Sequence, residues 1–312
     1  HISFTLESFH ETMEAILPNL DEPLADASLL PTYLVSTEAK KHVTVVLDGD
    51  GADELFYGYD TFPAYHASLI YQKVPAAMRR FWEQLIYTLP TRHTYFSVDF
   101  RLKSFLRGMP YRDEIRNQVW IGSFHDQELR ALLTRDYQGY IETIYEPITR
   151  VTKEMQALQP LERLSLVYLC HYLQGDILQK IDRATMYASL EARTPFLDPR
   201  LVSFVLQLAE KEKYSFPKGK RLLRSVMSGR IPDQILKRKK QGFGIPLGAW
   251  LRGPLRDCMQ ATLAPDRLEA AGIVNPTAVT TLIEEHLGGQ ADHRKKLWTL
   301  MVLHWWQERW VR

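Results

Sequence analysis

The sequence predicts an α/β fold dominated by helices, on three observations. One apolar, β-branched run, Val43-Thr44-Val45-Val46-Leu47, lacks polar alternation, as a strand buried on both faces of a parallel sheet would. The stretch that follows, Asp48-Gly49-Asp50-Gly51-Ala52-Asp53-Glu54, crowds four carboxylates and two glycines into seven residues. From about residue 61 onward the apolar spacing is overwhelmingly helical.

Taken in order, Ser8-Phe9-His10-Glu11 reads as a capping box, with Phe9, Met13, Ile16, Leu17 and Leu20 at helical spacing behind it. Asp21-Glu22-Pro23 stops that helix, and a second one, roughly 29–40, leads into the strand at Val43. No second convincing strand appears downstream. Helices are expected over 64–71, 76–87, 97–107, 136–156 and 161–173, separated from one another by proline or glycine. Leu161, Leu164, Tyr168, Leu169 and Tyr172 fall mostly on one face, which core packing explains. The basic amphipathic stretch 99–108 reads as a packed helix with a solvated face. The closing stretch 293–312, with Trp298, Trp305, Trp306 and Trp310, is apolar on most sides and is expected to be buried.

At 312 residues and 45% hydrophobic content, the chain can bury one large core or two modest ones. Its net charge of +2 gives no global field for nucleic acid or an anionic membrane. Cys170 and Cys258 have neither metal nor redox spacing and suit a reducing compartment, so a cytoplasmic protein is expected. No apolar run approaches the ~20 residues that span a bilayer. No signal-peptide pattern is read in the sequence, and its first residue is His1 and not Met, so the natural amino terminus is not expected to be the one seen here.

The acidic turn invites two explanations. Carboxylates ~4 Å apart repel by about 4 kcal/mol at an effective dielectric near 20, so something offsets the crowding. Helix capping is one answer, with Asp50 as N-cap and Asp53 and Glu54 set against the helix dipole. A hard cation completed by substrate phosphates is the other, with Gly49 and Gly51 letting backbone approach the ligand. In open α/β sheets ligands bind outside the carboxyl ends of the strands, where this turn would lie. Two later segments also carry charge in patterns. Asp176, Lys180 and Arg183 fall at i, i+4 and i+7 with Asp182 beside them, a surface ion-pair ladder unless the neighbouring Pro195-Phe196-Leu197 draws them inward. Lys237-Arg238-Lys239-Lys240 is either a solvated basic loop or a loop folded over an anion, as its tight tail Gly242-Phe243-Gly244-Ile245-Pro246 suggests.

These residues resemble a known family. Leu47 to Phe56 with Gly58-Tyr59 resembles the SGDGxDELFxGY signature of glutamine-dependent asparagine synthetases, in their carboxy-terminal synthetase domain. Asp21-Glu22-Pro23-Leu24-Ala25-Asp26 and the LWxLxxLxxW character of the last helix look like the same family. The run from Asp176 to Met186 with Glu191 to Asp198 is similar to its DxxLxKxDRxxM and ExRxPFLD patterns. Arg238, Lys240, Gly242, Phe243 and Pro246 fit RxKxGFGxP. Asp48 departs from the pattern, because the family usually has Ser there.

The resemblance implies an adenine-nucleotide alpha-hydrolase-like (PP-loop) synthetase domain. Residues 1–60 would form a partial nucleotide-binding core and 61–312 a mainly helical remainder, with 176–256 returning to the active site. It implies ATP and Mg2+. Asp53 would be a magnesium ligand, and Asp50 the acid that supports the intermediate and takes a proton from ammonia. Asp48, Gly49, Gly51 and Arg238 would contact ATP, and Lys240 would steady charge on the α-phosphate and the departing pyrophosphate. Asp176, Asp182, Arg183 and Glu191 become substrate-pocket candidates. The implied reaction makes asparagine from aspartate through β-aspartyl-AMP. Its ammonia would come from glutamine by way of a glutaminase domain of the same parent chain, and a homodimer is possible. Neither that domain nor an SGGxDS phosphate loop is in the sequence, so a fragment lacking the first strand is expected, inactive by itself and unable to bind ATP productively. Three other readings stand beside this one. They are a related amide-forming ligase acting on another carboxylate, a non-catalytic descendant, and a nucleic-acid-binding module using Lys218, Lys220, Arg221 and Arg224 with the 237–240 run. Near-neutral charge and the lack of a stacking platform argue against the last.

Overall fold

The computed structural model describes residues 3, 5–90, 97–238 and 242–311. It divides the chain into two compact units. One comprises His1–Ser8, Ser28–Val74 and Ile148–Gly244; the other comprises Phe9–Ala27, Pro75–Pro147 and Ile245–Arg312.

The first unit holds the sheet. Strand β1 (Val45–Leu47) pairs in parallel with strand β2 (Glu191–Arg193), in the register Val45↔Glu191, Val46↔Ala192 and Leu47↔Arg193. The ladder runs one bond further at each end, from Glu191 N to Thr44 O at 3.0 Å and from Asp48 N to Arg193 O at 3.0 Å. Helix Leu178–Tyr187 packs on helix Leu29–Lys40 and leads into β2. Two sequence expectations are corrected here. A second strand exists, where Glu191 and Arg193 flank a lone alanine and leave no apolar signal. The β1 run is also not buried on both faces, since Leu47 is 73% exposed and Val43 and Val45 are exposed as well. The reason is topological: among the described residues the sheet has only these two strands, so little covers β1.

The core beside the sheet gathers Leu55, Phe56 and Val205, with Phe196, Leu201 and Leu222 packed against them. Phe196 meets Phe56 edge to face with centroids 6.3 Å apart, but Pro195 is exposed and Phe196 and Leu197 are only half-buried, so the segment does not draw the neighbouring charges inward, and Glu191 and Arg193 stay exposed. An aromatic group lies alongside. Tyr59 stacks on Tyr168 at 4.7 Å, and Tyr57 stacks on Phe62 at 4.7 Å. The helix expected over 161–173 is α-helical only over Pro160–Val167, then continues as a π-helix over Tyr168–Ile177. That wider turn carries Tyr168 and Tyr172, both of which touch the Tyr59 ring.

The second unit is helical among its described residues. Helices Leu6–Ile16, Ala76–Tyr87 and Val98–Gly108 match the spacing closely. The first starts one turn earlier than the capping box suggested, with Thr5 and Ser8 exchanging hydrogen bonds of 2.8 and 3.2 Å. The single helix expected over 136–156 is instead a 3-10 segment, Arg135–Thr143, and a helix, Glu146–Glu154, whose residues from Ile148 onward belong to the first unit. Pro147 fits a helix's first turn and cannot sit inside one. Helix Arg294–Trp310 buries Leu297, Trp298, Leu300, Met301, Val302 and His304, but Trp310 is exposed, so the helix is one-sided rather than enclosed. Trp298 and Trp250 both pack on Phe9.

One close approach in the first unit fixes where the acidic turn sits. Lys220 N donates to Phe56 O at 2.6 Å, and a Cβ placed on Gly219 would lie 1.8 Å from Tyr57 O. A side chain at 219 therefore cannot be accommodated without moving backbone. Gly219→Ala is expected to destabilise the protein by about 2–3 kcal/mol in denaturant unfolding, from overpacking against a main-chain atom; an unchanged midpoint would contradict this packing.

Candidate active site

The acidic turn lies at the carboxyl end of β1, within the first unit. Its four carboxylates do different things. Glu54 is 1% exposed: it accepts from Tyr59 Oη at 2.5 Å, while its carbonyl accepts from Ser165 Oγ at 2.8 Å. Burial pushes its carboxyl above the usual range, and the Tyr59 hydroxyl partly opposes that. Burial and the Glu54 charge likewise raise Tyr59 far above an ordinary phenol. Glu54 is thus a pillar of the turn, turned away from solvent. The short helix Ala52–Leu55 begins after Gly51 at φ +86°, with no side-chain cap, so Asp50 is not the N-cap. Capping therefore does not account for Asp48 or Asp50.

Asp48 is half-buried. Its Oδ1 accepts from Asp50 N at 3.1 Å, and its Oδ2 is buried without a hydrogen-bond partner among the described residues. Burial, and secondarily the Asp50 charge, push the Asp48 carboxyl up to about 6, against the hydrogen bond from Asp50 N. Asp53 faces Lys220, with Nζ 2.7 Å from Oδ1 and the two side chains 26% and 22% exposed. The two form an ion pair. Gly58 N donates to Asp53 O at 2.7 Å, closing the turn behind the pair.

The remaining candidates divide. Glu191 sits on β2 opposite Val45, exposed and paired with Arg193 at 2.7 Å. Asp182 and Arg183 pair with each other at 2.7 Å on helix Leu178–Tyr187, which also carries the buried Lys180. Asp176 lies in the π-helix, so the simple α-helical ladder of 176, 180 and 183 does not hold along its whole length. Arg238 is exposed and makes no ion pair among the described residues, while Lys237 pairs with Asp233 at 2.8 Å. Lys240 lies outside the described residues. Gly49 is exposed and Gly51 buried. Lys220 is the residue whose place sequence reasoning missed: it entered only as one of several surface cations, and nothing local in Pro217-Lys218-Gly219-Lys220 points to Asp53.

The donors here are hard oxygens, which suit magnesium. Among the described residues no three metal-ligating groups converge into a cage. Magnesium is commonly held by only one or two carboxylates, with substrate phosphates and water completing its shell. Asp53, with the Asp48 and Asp50 carboxylates close in sequence, fits such a partial shell.

A helix-dominated α/β unit with an acidic turn at a parallel strand end defines the class. Comparison with known proteins makes it specific: the chain matches the family described as asparagine synthase over residues 1–308 and belongs to it. A Mycobacterium tuberculosis protein named "Putative asparagine synthetase (glutamine-hydrolyzing)" is 33% identical over 301 residues, 96% of this chain and 44% of that protein. Asparagine synthetase (glutamine-hydrolyzing) 1 of Bacillus subtilis is 29% identical over 303 residues, 96% of this chain and 46% of its own length. Amidase chry2 of Gibberella zeae is 23% identical over 251 residues, 75% of this chain and 36% of that protein. The chain spans less than half the length of each of these relatives. No helix among the described residues is long and apolar enough to cross a membrane.

A raised Asp48 has a definite signature. The folded protein holds this proton more tightly than the unfolded chain, so stability falls as pH rises from the ordinary carboxylate range to about 6 and stays reduced above it. Asp48→Asn is expected to raise the Tm at about pH 7.5 by roughly 1–3 °C, after discounting for solvent screening, and to change it little near about pH 4. Equal effects at both pH values would show that Asp48 carries no burial penalty.

Proposed function

We propose that this chain is the synthetase part of an ATP-dependent amide-forming ligase that makes asparagine from aspartate. The observation that carries the reading is the acidic turn at the carboxyl end of a parallel strand, in a chain that matches the asparagine synthase family almost end to end. On this reading the fold is of the adenine-nucleotide alpha-hydrolase-like (PP-loop) kind, and 176–256 returns to the strand end. An oxygen of aspartate's side-chain carboxylate attacks the α-phosphorus of ATP, and the bond to the bridging oxygen breaks to release pyrophosphate. Ammonia then attacks the acyl carbon of β-aspartyl-AMP, loses a proton to Asp50, and AMP departs. A magnesium ion held by Asp53 would neutralise phosphate charge. Asp48, Gly49, Gly51 and Arg238 face the nucleotide, and Lys240 meets charge building on the α-phosphate and pyrophosphate. Asp176, Asp182, Arg183 and Glu191 line or brace the pocket. Ammonia is drawn from glutamine by a glutaminase domain of the parent protein, a cytoplasmic enzyme.

A second reading is a ligase of the same fold acting on another carboxylate, which differs from asparagine formation only in the residues around the acyl substrate.

The test uses the full-length parent protein with ATP, Mg2+, ammonia and aspartate labelled with 18O in its side-chain carboxylate. Asparagine should form with one labelled oxygen in AMP, and Asp50→Ala should slow it by at least about 100-fold. Label that stays out of AMP overturns the adenylate route. Turnover with a different carboxylate and none with aspartate favours the second reading.

A further inference from the structure

The cation already seated on Asp53 is Lys220, and the backbone around both residues is built to put it there. Lys220 is not a glycine, yet its φ is +57°, a conformation that side chains with a Cβ rarely adopt. The conformation is enforced from two sides: Lys220 N is tied to Phe56 O at 2.6 Å, and Arg224 N donates to Lys220 O at 2.8 Å as helix Arg221–Met227 begins. Opposite, Gly58 leaves the volume the pair occupies. A Cβ at 58 would lie 1.9 Å from Asp53 Oδ1 and 2.4 Å from Lys220 Cε. A flexible lysine at the surface needs none of this, and strained backbone persists where its surroundings over-determine it, often at functional sites.

Resting on the reading of Asp53 as a cation ligand, we propose that Lys220 is a built-in stand-in for the divalent cation. Its ammonium occupies the Asp53 carboxylate until a metal ion displaces it, so lysine and metal compete for one oxygen. A lysine Nζ 2.7 Å from Oδ1 blocks the inner-shell position a magnesium ion would take there. Binding therefore includes the work of breaking the ion pair. Linkage makes the effect reciprocal: whatever Lys220 contributes to holding Asp53 is subtracted from metal affinity.

The test is Mn2+ binding followed by electron paramagnetic resonance on the purified chain, with Mn2+ alone as the probe. Lys220→Met keeps the stem and removes the charge, and is expected to tighten Mn2+ binding about five- to tenfold. Lys220→Arg keeps a cation and should stay near wild type, and Asp53→Asn should abolish the site. Circular dichroism on each variant confirms folding; should Lys220→Met fail to fold, Lys220→Gln gives the same comparison. Weaker or unchanged Mn2+ binding on removing the charge overturns the stand-in and leaves Asp53 as a ligand. Wild-type binding that survives Asp53→Asn removes the metal from Asp53, and with it the reading on which the proposal rests.

Discussion

The first unit depends on a main-chain contact: the Gly219-Lys220 backbone lies directly on the carbonyls of Phe56 and Tyr57. That contact joins the acidic turn to a segment far away in sequence and fixes the height of Lys220 against Asp53. Neither the β1–β2 pair nor the four-residue helix Ala52–Leu55 is large enough to define the turn alone. Isolated strand pairs are marginal, and a single helical turn is not stable by itself. Packing from Phe196, Leu201 and Leu222 supplies the rigidity, and the Tyr59–Glu54 hydrogen bond sets the rotation of the turn.

Four neighbouring acids therefore divide the labour by burial. Glu54 points inward and is satisfied by Tyr59. Asp53 points to a lysine. Asp48 holds a carboxyl pushed up to about 6, because its surroundings are partly dry and Asp50 is near. The crowding that looked costly from sequence is relieved by different means at three of the four positions: a hydroxyl donor for Glu54, an ammonium for Asp53 and a raised proton affinity for Asp48.

Much of this was legible in the sequence. Val45-Val46-Leu47 announces a strand, the acid–glycine run marks its carboxyl end, and helical spacing finds Leu29–Lys40 and Ala76–Tyr87 nearly to the residue. β2 was not legible, because Glu191-Ala192-Arg193 shows no apolar excess and pairs through its backbone. Nor was the exposure of Leu47, since an unalternating run says what a strand would tolerate and not what covers it. The π-helical turn escapes periodicity because one turn's difference in pitch is lost in a short segment. Within the site, the motif located Asp48, Asp50 and Asp53 together but gave Glu54 no separate fate. The Asp53–Lys220 pair was invisible, as a contact between remote segments leaves no local spacing to read.

The proposed chemistry requires a metal–polyphosphate seat at the end of β1. Crystals of the full-length protein grown with ATP and Mn2+, with anomalous scattering measured at the manganese edge, address it most directly. A peak within about 2.5 Å of an Asp53 carboxylate oxygen, bridged to nucleotide phosphate, is the predicted result. Nucleotide and manganese bound together at any place remote from Asp53 would contradict it.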